Sequence, residues 1–125
     1  ESDITFTLKY ILKANDFKVD TFTDPIIALK SYKINYYDLV ILDIKMPKMD
    51  GFELYTKLRQ KDPKVKICFL TAIAIFTEEF KKSILKLDKN IDKGFFIQKP
   101  IRTEDLIKRI TWLLNKNNEG IIYVN

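Results

Sequence analysis

Apolar residues along this chain recur with two different periods, and each change of period marks a new element. Ile4, Leu8, Ile11 and Leu12 follow helical spacing, so residues 3 to 15 are expected to form an amphipathic helix. "FKVDTF", residues 17 to 22, is short and alternates apolar with polar positions, which suits a strand. In "TDPIIALKSY", Asp24 is placed to cap a helix and Pro25 falls in its first position, where a missing N–H costs nothing. "DLVILD", residues 38 to 43, is apolar between its two acids, the pattern of a strand covered on both faces.

"MDGFELYTKLRQ" then offers Asp50 as a cap with Glu53 three residues later, and sets Leu54, Tyr55 and Leu58 on one helical face. "VKICFL" is a further strand, "TEEFKKSILKL" a helix with Phe80, Ile84 and Leu87 aligned, and "GFFIQ" a short strand. "RTEDLIKRITWLLNK" closes the series as a helix with Thr103 as its cap and Leu106, Ile110 and Leu114 in register. A helix followed by four strand–helix units implies a single domain over residues 1–125, an α/β parallel sheet with helices on both faces. Ligands of such sheets bind beyond the carboxyl ends of the strands. Asp43, Thr71 and Lys99 each stand at or just past the end of a different strand, so three polar groups converge on one rim of an apolar layer.

Composition narrows the chemistry. With 46% hydrophobic and 31% charged residues the chain reads as soluble and globular, large enough for a core without disulfides. No apolar stretch approaches the ~20 residues that cross a bilayer, so no membrane association is expected. Cys68, inside "VKICFL", reads as a small core residue rather than a nucleophile, and a reducing cytoplasm is the expected setting. The formal net charge of +5 raises the question of nucleic acid, but the lysines are interleaved with acids, as in "EEFKKSILKLDKNIDK". Such a face is ordinarily solvated, and no direct nucleic-acid binding is expected. The chain has no histidine. That excludes Ser-His-Asp triads, Cys-His pairs and His-ligated zinc, leaving carboxylates, hydroxyls and lysines.

The segments "YYDLVILDIKMPKMDGFEL", "CFLTA" and "FFIQKPI" resemble the receiver domain of response regulators in two-component signalling, in texture most like its archaeal members. The resemblance covers nearly the whole chain, with three motifs in order at three strand ends. It implies a flavodoxin-like doubly wound sheet and a signalling switch rather than an enzyme. Asp43 would be the phosphoacceptor, Lys99 the cation facing the incoming phosphoryl oxygens, and Thr71 a hydroxyl donor to another of them. Asp43 and the backbone carbonyl of Lys45 would bind magnesium. Pro47, Gly51 and Pro100 would shape the turns, the last through a cis bond to Lys99. Phe96 would be the aromatic switch that turns inward when Thr71 moves; the plain reading of Phe96 is an edge-strand core residue. Phe95 points to the opposite face, so only one of the two can be the buried partner of that switch. Taken singly, an aspartate or threonine at a strand end is a turn or cap residue. Trp112 is expected to pack.

Family members begin with a central apolar strand ending in two adjacent acids that bind magnesium with the phosphoacceptor. Glu1-Ser2-Asp3 resembles the segment just after that pair, so strand and pair are missing here and magnesium affinity should fall. Glu1 lies near the site by this reasoning, without standing as a ligand. The vacancy would leave two rows of unpaired backbone groups. Ile121 to Val124, after Gly120, is a short β-prone run that a right-handed crossover would carry into the vacant central slot, in its own chain or in a neighbour by strand exchange. Asn125 would then fall near the place of the first acid. The opposing reading makes this tail a disordered stub leading to an output domain, or the first strand merely omitted.

Two functions remain. One is a switch phosphorylated by a sensor histidine kinase and read by a downstream output protein, with a homodimer or strand-exchanged dimer among its arrangements. The other is a phosphorylation-deficient pseudo-receiver that acts as a protein–protein binding module. A DNA-binding output is weaker, because no helix-turn-helix segment follows.

Overall fold

The computed structural model describes residues 2–44, 49–72, 78–87, 95–114 and 120–125. Helix α1 (Ser2–Ala14) leads into strand β1 (Lys18–Thr21), helix α2 (Pro25–Lys30), strand β2 (Leu39–Ile44) and helix α3 (Met49–Lys61). Strand β3 (Lys66–Ala72), helix α4 (Glu78–Leu87), strand β4 (Phe96–Lys99), helix α5 (Thr103–Leu114) and strand β5 (Ile121–Val124) complete the series. The strands form one parallel sheet in the order β1-β5-β2-β3-β4. This is the expected α/β architecture.

Local chemistry sets several boundaries. The Asp24 carboxylate accepts from the N–H groups of Ile26 and Ile27, with Pro25 next to it at the start of α2. α1 ends without a glycine: Asp16 takes φ of 70°, its N–H donates to the Lys13 carbonyl, and the Phe17 N–H reaches the Leu12 carbonyl at 3.1 Å. That is the double closure of a Schellman motif, and the buried Phe17 and Leu12 share one core cluster, the apolar contact that accompanies it. Two expected caps fall inside their helices instead, since α3 begins at Met49 and α5 at Thr103. Gly51 is accordingly not a turn residue but part of the first turn of α3. First-turn N–H groups need no intrahelical acceptor, so the helix can start ahead of the expected cap at little cost. Lys45 and Pro47 lie outside the described residues.

The sheet is covered on both faces, as the unbroken apolar run of β2 requires. Leu39 and Ile41 join Leu8 and Leu12 of α1 and Leu106, Ile110, Leu113 and Leu114 of α5. Val40, Leu42 and Ile44 join Ala28 of α2 and Leu54, Tyr55 and Leu58 of α3. Cys68 is wholly buried in the first cluster. Trp112 is instead 64% exposed. It lies two residues from the buried Ile110, about 200° around the helix, so it faces away from the core.

β5 occupies the slot between β1 and β2 within its own chain. Lys18 to Thr21 pair with Ile121 to Val124 on one side, and Leu39 to Ile41 with Ile122 to Val124 on the other. Ile122, Tyr123 and Val124 are each 0% exposed, so the tail is an interior strand and not a stub. Asp38 fixes its entry: the Ile121 N–H donates to Asp38 Oδ2 at 2.9 Å, and the Asp38 N–H to the Ile121 carbonyl at 2.8 Å. Gly120 suits this approach, because a Cβ there would meet Leu114 Cδ1 at 3.1 Å and Asp38 Oδ2 at 3.6 Å.

Candidate functional site

β2 carries its only acid to the carboxyl rim of the sheet. Asp43 follows four fully covered apolar residues and lies level with Leu70 of β3, which is level with Ile97 of β4. Lys99, two residues on from Ile97, closes β4 and reaches back along the rim. Its Nζ donates to Asp43 Oδ1 at 2.9 Å, with the Asp43 side chain 2% and the Lys99 side chain 20% exposed. The Lys99–Pro100 peptide is cis, as the resemblance implied. A carboxylate so far removed from water is tolerated because a cation sits against it.

Two other polar atoms at this rim have no hydrogen-bond partner among the described residues. Asp43 Oδ2 is buried and unpaired, and so is Thr71 Oγ1. Thr71 pairs in register with Ile44, one step from Asp43, and is 0% exposed. Asp43 and Lys99 therefore touch, while Thr71 stands beside them with no hydrogen bond to either. Buried groups of this kind are uncommon, and unpaired ones at a strand rim point to a ligand that completes them. The open carboxylate oxygen can take a donor, a cation or a covalent partner, and the hydroxyl and the ammonium can each take an acceptor.

Phe96 stacks on Phe69 with ring centroids 5.3 Å apart and 16° between planes. It is half-buried against the α2/α3 cluster, whereas Phe95 packs against the α1/α5 cluster. Both rings are thus partly covered, one on each face, as strand alternation requires. Arg109 of α5 holds the β4 edge by donating from Nη2 to the Phe96 carbonyl at 3.1 Å.

Asn125 plays a part that the sequence showed only as a position. Its carbonyl accepts the Asp43 N–H at 2.7 Å, its N–H donates to the Ile41 carbonyl at 2.9 Å, and its side-chain Nδ2 donates to the Phe22 carbonyl at 2.6 Å. A tyrosine cluster lies below it. Tyr123 is ringed by Phe22, Tyr32 and Tyr37 at centroid distances of 5.1 to 5.2 Å, and the Tyr123 hydroxyl is buried without a partner among the described residues. Tyr32 donates to Asp62 Oδ2 at 2.8 Å and Tyr37 to Asp20 Oδ2 at 2.7 Å. Burial, reinforced by these carboxylates, pushes both phenols well above the usual tyrosine range; burial alone does so for Tyr123. The signal available for this cluster was the aromatic density of "SYKINYY", which carries no motif.

A parallel five-stranded sheet with an aspartate–lysine pair at its carboxyl rim, and beside it a threonine hydroxyl unpaired among the described residues, is the arrangement of a receiver-type module. The chain belongs to the response regulator receiver domain family, whose model matches residues 1–111. It is 31% identical to the transcriptional regulatory protein RprY of Bacteroides fragilis, over 98% of this chain and 52% of that protein. It is 32% identical to the alkaline phosphatase synthesis transcriptional regulatory protein PhoP of Bacillus subtilis, over 94% of this chain and 46% of that protein. A segment covering 59% of the chain is 43% identical to 6% of the sensor protein EvgS of Escherichia coli. The chain thus spans about half the length of these regulators. Two-component signalling is its setting, and no helix among the described residues is long and apolar enough to cross a membrane.

Receiver domains generally bind magnesium. Asp43 Oδ2 is an unpaired oxygen suited to one ligand position, but among the described residues no group of three or more metal-ligating side chains forms. Magnesium prefers six oxygens in near-octahedral array, usually with carboxylate charge. The described residues by themselves do not make that cage.

Proposed function

We propose that Asp43 accepts a phosphoryl group from a sensor histidine kinase, and that the resulting aspartyl phosphate alters a surface read by a downstream output protein in the cytoplasm. The observation that carries this reading is the divided carboxylate: Oδ1 held by Lys99 at 2.9 Å, Oδ2 without a partner among the described residues. With a small acyl phosphate as donor, Oδ2 forms the new bond to phosphorus as the donor's own O–P bond breaks, and the donor leaves as carboxylate with that electron pair. No proton is gained or lost at Asp43. The difficulty is electrostatic, since an anion must approach an anion, and a pre-positioned cation meets it. Lys99 is that cation, and the Thr71 hydroxyl donates to a second phosphoryl oxygen. Magnesium, if bound, would be held by Asp43 and the Lys45 carbonyl and would supply positive charge to the phosphoryl oxygens.

Once formed, the phosphoryl group gives Lys99 and Thr71 acceptors they otherwise lack or share. That gain biases the Thr71–Phe96 region toward a second arrangement, in which the Phe96 ring leaves its stack on Phe69 and turns inward. The test is intact mass after incubation with acetyl phosphate and magnesium. One phosphoryl adduct is expected on the parent chain and none on Asp43→Asn. No adduct on the parent at high magnesium would favour the pseudo-receiver binding module. An adduct that survives the substitution would remove Asp43 from its role.

A further inference from the structure

The three hydrogen bonds of Asn125 carry the joining of β1, β5 and β2 one residue beyond the bond from the Phe22 N–H to the Val124 carbonyl. Its backbone extends the β5 ladder beyond Val124, bonding to Ile41 and Asp43 on the β2 side. On the β1 side the ladder has a two-residue rhythm: the Lys18 N–H donates to the Gly120 carbonyl and the Phe22 N–H to the Val124 carbonyl. The Phe22 carbonyl is the next acceptor along that edge, and the Asn125 side-chain amide donates to it at 2.6 Å. A side chain does there what a backbone N–H does lower down.

We infer that Asn125 is a positioning residue for Asp43. It clamps the outgoing end of β1 to the strand whose carbonyl fixes the Asp43 N–H, and so holds the carboxylate with Oδ1 on Lys99 and Oδ2 open. This rests on the phosphoacceptor reading above. The argument is one of geometry. Asp43 is the last residue but one of β2, where strand ends fray unless a neighbour is tied on both sides. β5 gives β2 that neighbour only as far as Asn125 is held, and among the described residues its side-chain amide is what bonds it to β1, next to the bond from the Phe22 N–H to the Val124 carbonyl. A neutral amide suits the place because it can donate to a carbonyl without adding negative charge beside the carboxylate. A small displacement of a reacting group costs far more in rate than in stability, about a hundredfold for 1 Å. The clamp's main effect is therefore kinetic.

The test compares the parent with Asn125→Ala and Asn125→Gln, measuring Asp43 adduct by intact mass against acetyl phosphate concentration at fixed magnesium, with thermal midpoints alongside. Asn125→Ala is expected to lower the maximal rate about tenfold, with the half-saturating donor concentration changed less than about twofold. Asn125→Gln keeps the donor and should return the rate to within about threefold of the parent. In amide NMR spectra Asn125→Ala should shift the Asp43 and Phe22 resonances while leaving Leu70 and Ile97, which lie across β3 and β4, in place. A rate equal to the parent's in Asn125→Ala overturns the inference, as does a Gln variant no faster than Ala. Equal loss of rate and of folded population, with shifts throughout the sheet, also overturns it, since that marks a merely structural residue. If the parent takes no adduct, the phosphoacceptor reading itself has failed and this inference falls with it. The two failures are told apart by the parent alone.

Discussion

Replacing Ile122 by alanine tests the placement of β5 directly. The side chain is 0% exposed and is flanked on one side by Val19 and on the other by Leu39. Truncation removes three carbon groups from a core contributed by α1, α5 and the sheet. At about 0.8 kcal/mol for each buried CH₂, the transfer loss is about 2.4 kcal/mol. A partly collapsed cavity raises the cost to about 3–4 kcal/mol, inside the 2–5 kcal/mol range for such substitutions. Domains of this size have about 5–15 kcal/mol in total, so between about a fifth and four-fifths of the stability is at stake. Urea unfolding followed by far-UV circular dichroism is the assay, because Trp112 is too exposed to report on the core. With a slope of about 2 kcal/mol/M, the midpoint should fall by about 1.5–2 M at unchanged slope. Ile121→Ala, whose side chain is only partly buried, should lose about half as much. A shift below about 0.5 M for Ile122→Ala, the behaviour of a loose tail, would show that β5 does not fill the slot.

Lys99→Met should slow phosphoryl acceptance by about 10²–10³-fold, the usual loss when a pre-aimed charge is removed, and should also destabilise the fold by about 2–3 kcal/mol through the uncompensated Asp43 carboxylate. A double-mutant cycle with Asp43→Asn isolates that coupling, and simple additivity would refute the pairing. Tyr32, Tyr37 and Tyr123 stay protonated in the fold to higher pH than in the unfolded chain, because burial, and for the first two a carboxylate, raise their pKa values. Their contribution is complete below the ordinary tyrosine pKa of about 10 and is lost above it, so stability should fall steeply from about pH 10 upward. Phenolate absorbance from these three should appear only with unfolding; an early rise for all tyrosines would contradict the cluster. Burial pushes the Cys68 thiol up to about 12, against a smaller opposing effect of Arg109. A thiol reagent at pH 8 should therefore modify Cys68 only in denaturant, and rapid reaction of the native protein would refute its burial.

Period and punctuation made most elements legible. Pro25 after Asp24 announced α2, the unbroken β2 run announced a doubly covered strand, and "IIYV" after a glycine announced β5. The Asp43–Lys99 contact could be anticipated because both residues stand at or next to the ends of parallel strands, and strand ends share a rim. Less legible was whatever depends on contacts remote in sequence. The tyrosine cluster draws on residues 22, 32, 37 and 123, which no local pattern relates. Asp16 in a left-handed conformation replaced the glycine that a sequence reading looks for at a helix end. The outward face of Trp112 follows from which α5 residues are buried, and the apolar stripe there is broad enough to have included it.

The seat of β5 has a consequence for how the protein comes into being. Lys18 and Ile121, partners across the first ladder, are separated by nearly the whole described chain. On the ribosome β2, β3 and β4 can associate in the order they emerge, but among the described residues the facing edges of β1 and β2 find their partner only when the residues after α5 are made. Contacts of such long range form slowly, and edges left open meanwhile invite pairing with other nascent chains. Yield from cells should thus depend on holdase chaperones and on slow translation far more than the finished domain's stability would suggest.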